Sequence, residues 1–345
     1  MDSSSAFLDL ATALLYGFSM NRWSVRLLLI VVCLLAFPQR SPAPLIYTPG
    51  EGWRYEQYGT SGGWMKKRAK DQLEFAQAAF DQKDYKVALK AARHTVSQWP
   101  FSDYAPKAQY IIARCYESQK QDEKAFKAYQ KLIQQYPKID NYEEIVQRQF
   151  GIANRFLAGQ WRKRLTFLPY PPDMSETIKL YEQIIKNGPY SEVAPLAQMS
   201  IGAAHEKKRV KDYPAAAKAY ERAADRYSEQ KVGTDALYKV GLAFNKQAKR
   251  AEYDQSIAAQ AISTFTDFMT LHPDEARVKE AQQIIDSLKT EQARGSFDIA
   301  KYYERHGRWP GALIYYNEVL LKDPGSKYAE SARQRIDALK KRIPQ

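Results

Sequence analysis

Tyr110 and Arg114 stand four residues apart in the run KAQYIIARCYES, so one helical turn would set a phenol beside a guanidinium. Stacking and charge-assisted hydrogen bonds are the chemistry of holding a ligand, not of transforming one. The rest of the chain adds no reaction. His94, His205, His272 and His306 are scattered without metal-ligand spacing, and His205-Glu206 has no second histidine four residues after His205. Gly59-Thr-Ser-Gly-Gly63 lacks the Lys-Ser/Thr of a phosphate loop, and no G-x-S-x-G elbow or Cys/His pair occurs. Paired carboxylates such as Glu143-Glu144 fall on expected helix surfaces, where solvation is the simplest reading. These residues point to a non-enzymatic binding protein with no cofactor and no metal site.

The elements that carry them read as helices. Apolar content of 45% with 24 Tyr and 14 Phe supplies a core, while Ala, Gln, Lys, Glu and Leu outweigh β-branched residues. Few runs alternate apolar and polar residues, so the fold class is all-α. The net charge is +13, and residues 1–43 contribute only Asp2, Asp9, Arg22, Arg26 and Arg40 to it. That excess favours acidic partners or an anionic membrane surface, against the plainer reading of a Lys-rich helical exterior. No nucleic-acid motif accompanies it.

Three regions follow from composition. Residues 1–43 read as a signal or targeting segment, in which Arg22 and Arg26 precede the apolar run Leu27–Phe37. Translation starts at Met1 or at Met20, and an uncleaved anchor is the alternative because no clean small-x-small site follows. Val32 before Cys33 and the apolar residues after it make a poor lipidation site, and Cys115 has no partner after signal removal. Residues 44–65 read as an extended tether with Tyr47, Trp53, Tyr55, Tyr58 and Trp64. From 66 to 341 the period is helical.

That third region repeats itself. PFSDYAPKAQY begins at Pro100, PYSEVAPLAQM at Pro189 and PGSKYAESARQ at Pro324. Each phrase is expected to be a joint, with Pro ending one helix, Ser capping the next and the Ala pair buried. Ile112, Ala113, Tyr116, Ala125, Tyr129 and Pro137 return 187 residues later as Ile299, Ala300, Tyr303, Ala312, Tyr316 and Pro324. The same frame is read at Phe75, Ala76, Ala79, Ala88 and Pro100, and at Phe150, Gly151, Asn154, Tyr181 and Pro189. It continues at Ile201, Gly202, His205, Ala216 and Tyr220, then at Val240, Gly241, Phe244, Ala261, Phe265 and Pro273. This spacing resembles the tetratricopeptide repeat (TPR), two antiparallel helices in about 34 residues. The expected architecture is a right-handed superhelical solenoid of about six TPR-like helix pairs with a closing helix over 326–341.

The P-x-S-x-x-A-x-x-A joints, with a long helix running into FDIAKYYERHGRWPGALIYYNEVLLKDPGSKYAESA (297–332), resemble the BamD family of periplasmic TPR lipoproteins. The resemblance covers roughly 66–340 and is strongest over 275–340. It implies a scaffold in outer-membrane β-barrel assembly at the periplasmic face of the outer membrane. The implied partners are a BamA-like subunit, at the C-terminal repeats, and unfolded outer-membrane proteins. A TPR adaptor of envelope division or polysaccharide export is the alternative. In TPR arrays the first helix of each repeat lines a groove, which here implies Gln77, Lys107, Tyr110, Arg114, Phe297, Lys301 and Arg305. The insertion over 159–173 sets Trp161, Phe167 and Tyr170 beside Arg162, Lys163 and Arg164. It reads either as an interface loop touching a membrane surface or a partner, or as a loop folded over its own repeat.

Overall fold

Small residues recur where two helices must touch, and aromatic residues recur opposite them, so each pair of helices closes on a local core. The computed structural model describes residues 45–48, 52–55, 63–160, 162–165, 168–170, 173–207, 209–250 and 255–342. The targeting segment with Cys33, and Trp161 of the insertion, lie outside the described residues. Residues 65–345 form one compact unit. Its helices are α1 (Ala69–Asp81), α2 (Tyr85–Gln98), α3 (Ala105–Ser118), α4 (Asp122–Gln135) and α5 (Tyr142–Leu157). Then come α6 (Met174–Asn187), α7 (Ala194–Glu206), α8 (Tyr213–Arg226) and α9 (Lys231–Arg250). The last are α10 (Gln255–Leu271), α11 (Val278–Arg305), α12 (Trp309–Lys322) and α13 (Lys327–Lys340). The all-α solenoid of helix pairs expected from the sequence is therefore observed.

Four short strands depart from it. β1 (Leu45–Thr48) pairs antiparallel with β2 (Gly52–Tyr55), Leu45 opposite Tyr55. These two strands are the described part of the segment that composition reads as a tether, apart from its last residues. β3 (Arg162–Leu165) and β4 (Leu168–Tyr170) pair in the insertion between α5 and α6, with an irregularity between Lys163 and Leu165. Arg162, Lys163 and Arg164 accordingly lie along a strand rather than in an irregular loop.

Five of the six pairs set an aromatic ring against a small residue, and the first has Ala92 at the aromatic position. Ala76, Ala113, Ala300 and the partner-helix residues Ala88, Ala125 and Ala312 are fully buried. At Gly202 and Gly241 the approach is tighter: a Cβ would lie 2.4 Å from the Tyr220 ring and 2.7 Å from that of Phe265. Tyr129, Tyr181, Tyr220, Phe265 and Tyr316 occupy one position of the second helix and are all buried. Tyrosine hydroxyls at this position bond at the edge of the core, Tyr129 donating to Glu117 at 2.8 Å and Tyr316 to Glu304 at 2.7 Å. Burial and the adjacent Glu117 push the Tyr129 phenol far above its ordinary value, so it stays a donor.

The third repeat corrects the sequence frame. Phe150, Gly151 and Asn154 do not take the places of Ile112, Ala113 and Tyr116; Ile152, Ala153 and Phe156 do, and all three are buried. Buried Gln149 precedes Ala153 by four residues as buried Gln109 precedes Ala113. A Cβ on Gly151 would find only an Arg155 nitrogen, at 3.9 Å. Phe150 instead matches Tyr110, its ring 5.9 Å from that of Tyr181, and Asn154 accepts the Tyr181 hydroxyl at 2.6 Å.

The joints also differ from expectation in one detail. Their Ala pairs are fully buried: Ala105 with Ala108, Ala194 with Ala197, Ala329 with Ala332. Only Ser326 caps the next helix, accepting from the Ala329 amide at 3.2 Å. Ser102 and Ser191 donate back to the carbonyls of Trp99 and Gly188, each at 2.8 Å, which closes the turn after the proline. α11 serves two joints. Ala281, Ile285 and Leu288 pack with Phe268 and Ala258 of α10, while Ala293 and Ala300 pack with Tyr316 of α12.

Candidate peptide-binding groove

The first helices of repeats one and two, with the turn entering α5, enclose a groove of about 670 Å³. Leu73, Ile111 and Ile139 give it an apolar floor, Gln77, Lys107 and Tyr110 line it with Lys138, and Glu74, Asp103 and Asp140 stand at its edge, while Arg114 lies outside the lining. Lys107 sits on the exposed rim, while Tyr110 is half-buried. Pro106 in the first turn of α3 and the fully buried Ala105 and Ala108 hold that helix at the joint, which fixes where Lys107 and Tyr110 point.

Tyr110 is more committed than its spacing revealed. Its hydroxyl donates to Glu144 Oε1 at 2.5 Å and accepts from Arg148 Nε at 3.2 Å and Arg114 Nη1 at 3.1 Å. Glu144 also bonds Arg148 at 2.9 Å, so it is an engaged partner and not simply a solvated carboxylate. Burial alone would raise the Glu144 carboxyl, but bonds from Tyr110, Arg148 and Asn141 outweigh it and hold the group below its ordinary range. Arg148 then reaches Glu117 at 3.4 Å, and Arg155 joins Glu117 at 3.5 Å to Asp122 at 2.6 Å. A ladder of alternating charge thus runs between α3 and α5 and ends on Asp122 at the start of α4.

Arg114 stands apart within this ladder. Its guanidinium lies 5.5 Å from the Phe80 ring centroid and 5.7 Å from that of Tyr110. Among the described residues no carboxylate pairs with it. Two aromatic faces therefore position a planar cation whose remaining donors can meet an incoming carboxylate.

The C-terminal group implied by the resemblance is placed differently. Phe297 occupies the position of Tyr110, but its ring packs 5.5 Å from Tyr316 and 5.8 Å from Tyr328. It joins α11 to α12 and α13 and is partly buried by those contacts. Lys301 is exposed 5.8 Å over the Phe297 ring, and exposed Arg305 bonds the Lys301 carbonyl at 3.4 Å. Gln77, Lys107 and Tyr110 share one groove, with Arg114 bonded to Tyr110 beside it; Phe297 packs in a separate core cluster, with Lys301 over its ring and Arg305 bonded to the Lys301 carbonyl. Sequence reasoning missed Glu144 and Arg148, whose visible sign was a Glu/Arg pair four residues apart.

Residues 107–138, the second repeat almost to its ends, match the tetratricopeptide repeat family. The region from β4 to the end of α12 carries the more specific likeness. Residues 170–323 match YfiO, the outer membrane lipoprotein family. The YfiO match bears out the BamD resemblance, over a stretch centred further toward the N-terminus than 275–340. It spans repeats four to six, the second helix of repeat three and the long α11. The groove lies before it, in the part matched by the TPR family or by neither. No curated protein matches the chain. Among solved structures, a TPR repeat-containing protein from Cytophaga hutchinsonii is 14% identical, covering 77% of this chain and 87% of that one, with a TM-score of 0.36. A tetratricopeptide repeat protein from Parabacteroides merdae is 11% identical over 79% and 98% of the two chains, with a TM-score of 0.32. PilW, described as a widely conserved type IV pilus biogenesis factor, is 13% identical over 77% and 99%, with a TM-score of 0.27. Among the described residues no helix is long and apolar enough to cross a membrane, and no cluster of His, Cys, Asp and Glu could hold a metal ion.

The charge ladder carries a measurable share of stability. Asp122 is 5% exposed and is held by Arg155 and by Gln160 at 2.5 Å. Changing Arg155→Ala leaves that carboxylate with one neutral partner. The expected cost is about 1–2 kcal/mol, reduced because the arginine itself is partly solvated. Urea denaturation measures it, and adding Asp122→Asn to the same variant should return part of the loss. An additive double variant would show that the two groups are independent.

Proposed function

We propose that this protein is a non-enzymatic TPR scaffold at the periplasmic face of the outer membrane, where it binds proteins during β-barrel assembly. In this reading the groove of repeats one and two receives the C-terminal segment of an unfolded outer-membrane protein. A BamA-like subunit docks on the C-terminal repeats, within the stretch that matches YfiO. The observation that carries the groove assignment is Arg114, a guanidinium laid between two rings, free of any described carboxylate and one turn from Tyr110 in the groove wall. A strand ending in an aromatic residue and a free carboxylate complements that pair: its ring meets the apolar floor, and its carboxylate meets Arg114. The 1–43 segment supplies export in this account, and the insertion hairpin with Arg162, Lys163 and Arg164 supplies a membrane-surface contact.

A photo-crosslinking residue at Lys107, used in intact envelope membranes, tests the assignment. The expected adducts are outer-membrane β-barrel proteins, with far fewer from the same probe at exposed Gln134 on α4. Equal yields from both positions, or adducts lacking barrel proteins, would count against the groove.

A further inference from the structure

Two successive joints of the array are built at equivalent positions, and one is closed while the other is open. At the joint of repeats two and three, Gln130, Gln149 and Asn187 bond one another. Asn187 Nδ2 donates to Gln130 Oε1 at 2.7 Å and Gln149 Oε1 at 3.0 Å, while Gln149 Nε2 donates to Gln130 Oε1 at 3.2 Å. These amides bridge α4, α5 and α6. One joint earlier the same places are held by Arg93, Gln109 and Gln135. Here Gln109 turns inward to the Ala128 carbonyl at 3.1 Å, and Arg93 bonds the Tyr116 hydroxyl. A cleft of about 280 Å³ is left between α2 and α4, lined by Arg93, Val96, Ile112, Lys131, Gln135 and Tyr136 among others.

The lining holds two cations and no carboxylate, and neither Arg93 nor Lys131 pairs with a carboxylate among the described residues. Val96 and Ile112 give the cleft an apolar floor between them. We propose that this cleft is a second binding site, for a glutamate side chain in an acidic segment of a partner protein. The aliphatic stem of glutamate suits the floor, and its carboxylate suits the two cations; a bare phosphate would leave the floor unused. The site is separate from the groove, which lies along α1 and α3, so one protein can be held there while a second occupies the groove.

Fluorescence anisotropy with a labelled acetyl-Ala-Leu-Glu-Glu-Leu-amide peptide, and with its glutamine counterpart, tests the proposal on the full chain. The glutamate peptide should bind about tenfold more tightly than the glutamine one at low salt. Arg93→Gln with Lys131→Gln should remove that preference, whereas Lys86→Gln with Lys127→Gln, which removes equal charge from exposed positions on the same two helices, should keep it. Arg93→Gln alone places an amide where the next joint has Gln130, and should abolish most of the preference without lowering the melting temperature. Equal affinity for the two peptides, or equal loss in both double variants, overturns the proposal. So does binding of phosphatidylglycerol vesicles that depends on Arg93 and Lys131 when the peptide does not bind.

Discussion

Gly202→Ala destabilises the array by about 3 kcal/mol, the upper end of the usual cost of overpacking, while Gly151→Ala is neutral or stabilising. The two glycines look alike in the sequence, each preceded by a large apolar residue in the first helix of its repeat. They differ in what stands opposite. A methyl group at Gly202 would lie 2.4 Å from the Tyr220 ring, which is itself fully buried and cannot retreat. At Gly151 the same methyl meets nothing nearer than 3.9 Å, so only the gain in helix propensity remains. Ala113→Leu and Ala312→Leu, at fully buried contacts, should each cost about 1–3 kcal/mol by the same mechanism. Thermal or urea unfolding reads all four variants. Equal effects at the two glycines would put the repeat frame back where Phe150 and Gly151 first suggested.

That pair of glycines shows how far the sequence could be read. Helix pairing was legible because the rule is local: a small residue in one helix, an aromatic one in the next, a proline after it. The rule recurs at Ala113, Tyr129 and Pro137 and at Ala300, Tyr316 and Pro324, so the joints could be placed without knowing any contact. The third repeat misled because Phe150-Gly151 imitates a large-small pair, while Ile152-Ala153, two residues on, is the pair that packs. What was not legible depends on partners far away in sequence. Tyr110 finds Glu144 across 34 residues, and only the stacking of α5 on repeat two brings them together. Phe297 sits at the same repeat position as Tyr110, yet its ring packs on Tyr316 and on Tyr328 because α13 follows directly. A position in the repeat therefore predicts a direction, and the neighbouring repeat decides whether that direction is open.

The hydroxyl of Tyr110 is already used within the protein, which sharpens what a ligand can take from this site: the edge of its ring, and the free donors of Arg114. Removing both residues should weaken binding of a peptide with a C-terminal phenylalanine about a hundredfold, since two contacts each worth about 1.4 kcal/mol are lost. Replacing the peptide carboxylate by an amide should cost about tenfold in the parent and nothing further in an Arg114→Ala variant, because the same contact is missing from either side. Arg114→Lys keeps the charge but loses the flat face on Phe80, and should fall between the two.

The most direct measurement is the affinity of a ten-residue peptide from the C-terminus of an outer-membrane β-barrel protein. It is taken for the parent, for Tyr110→Ala with Arg114→Ala, and for a chain beginning at Met65. A groove that receives this segment predicts binding to the parent and to the shortened chain, with the double variant about a hundredfold weaker. Tighter binding by the shortened chain would make residues 44–65 a competitor for the groove. No binding by the parent, or one affinity shared by all three proteins, would contradict the account.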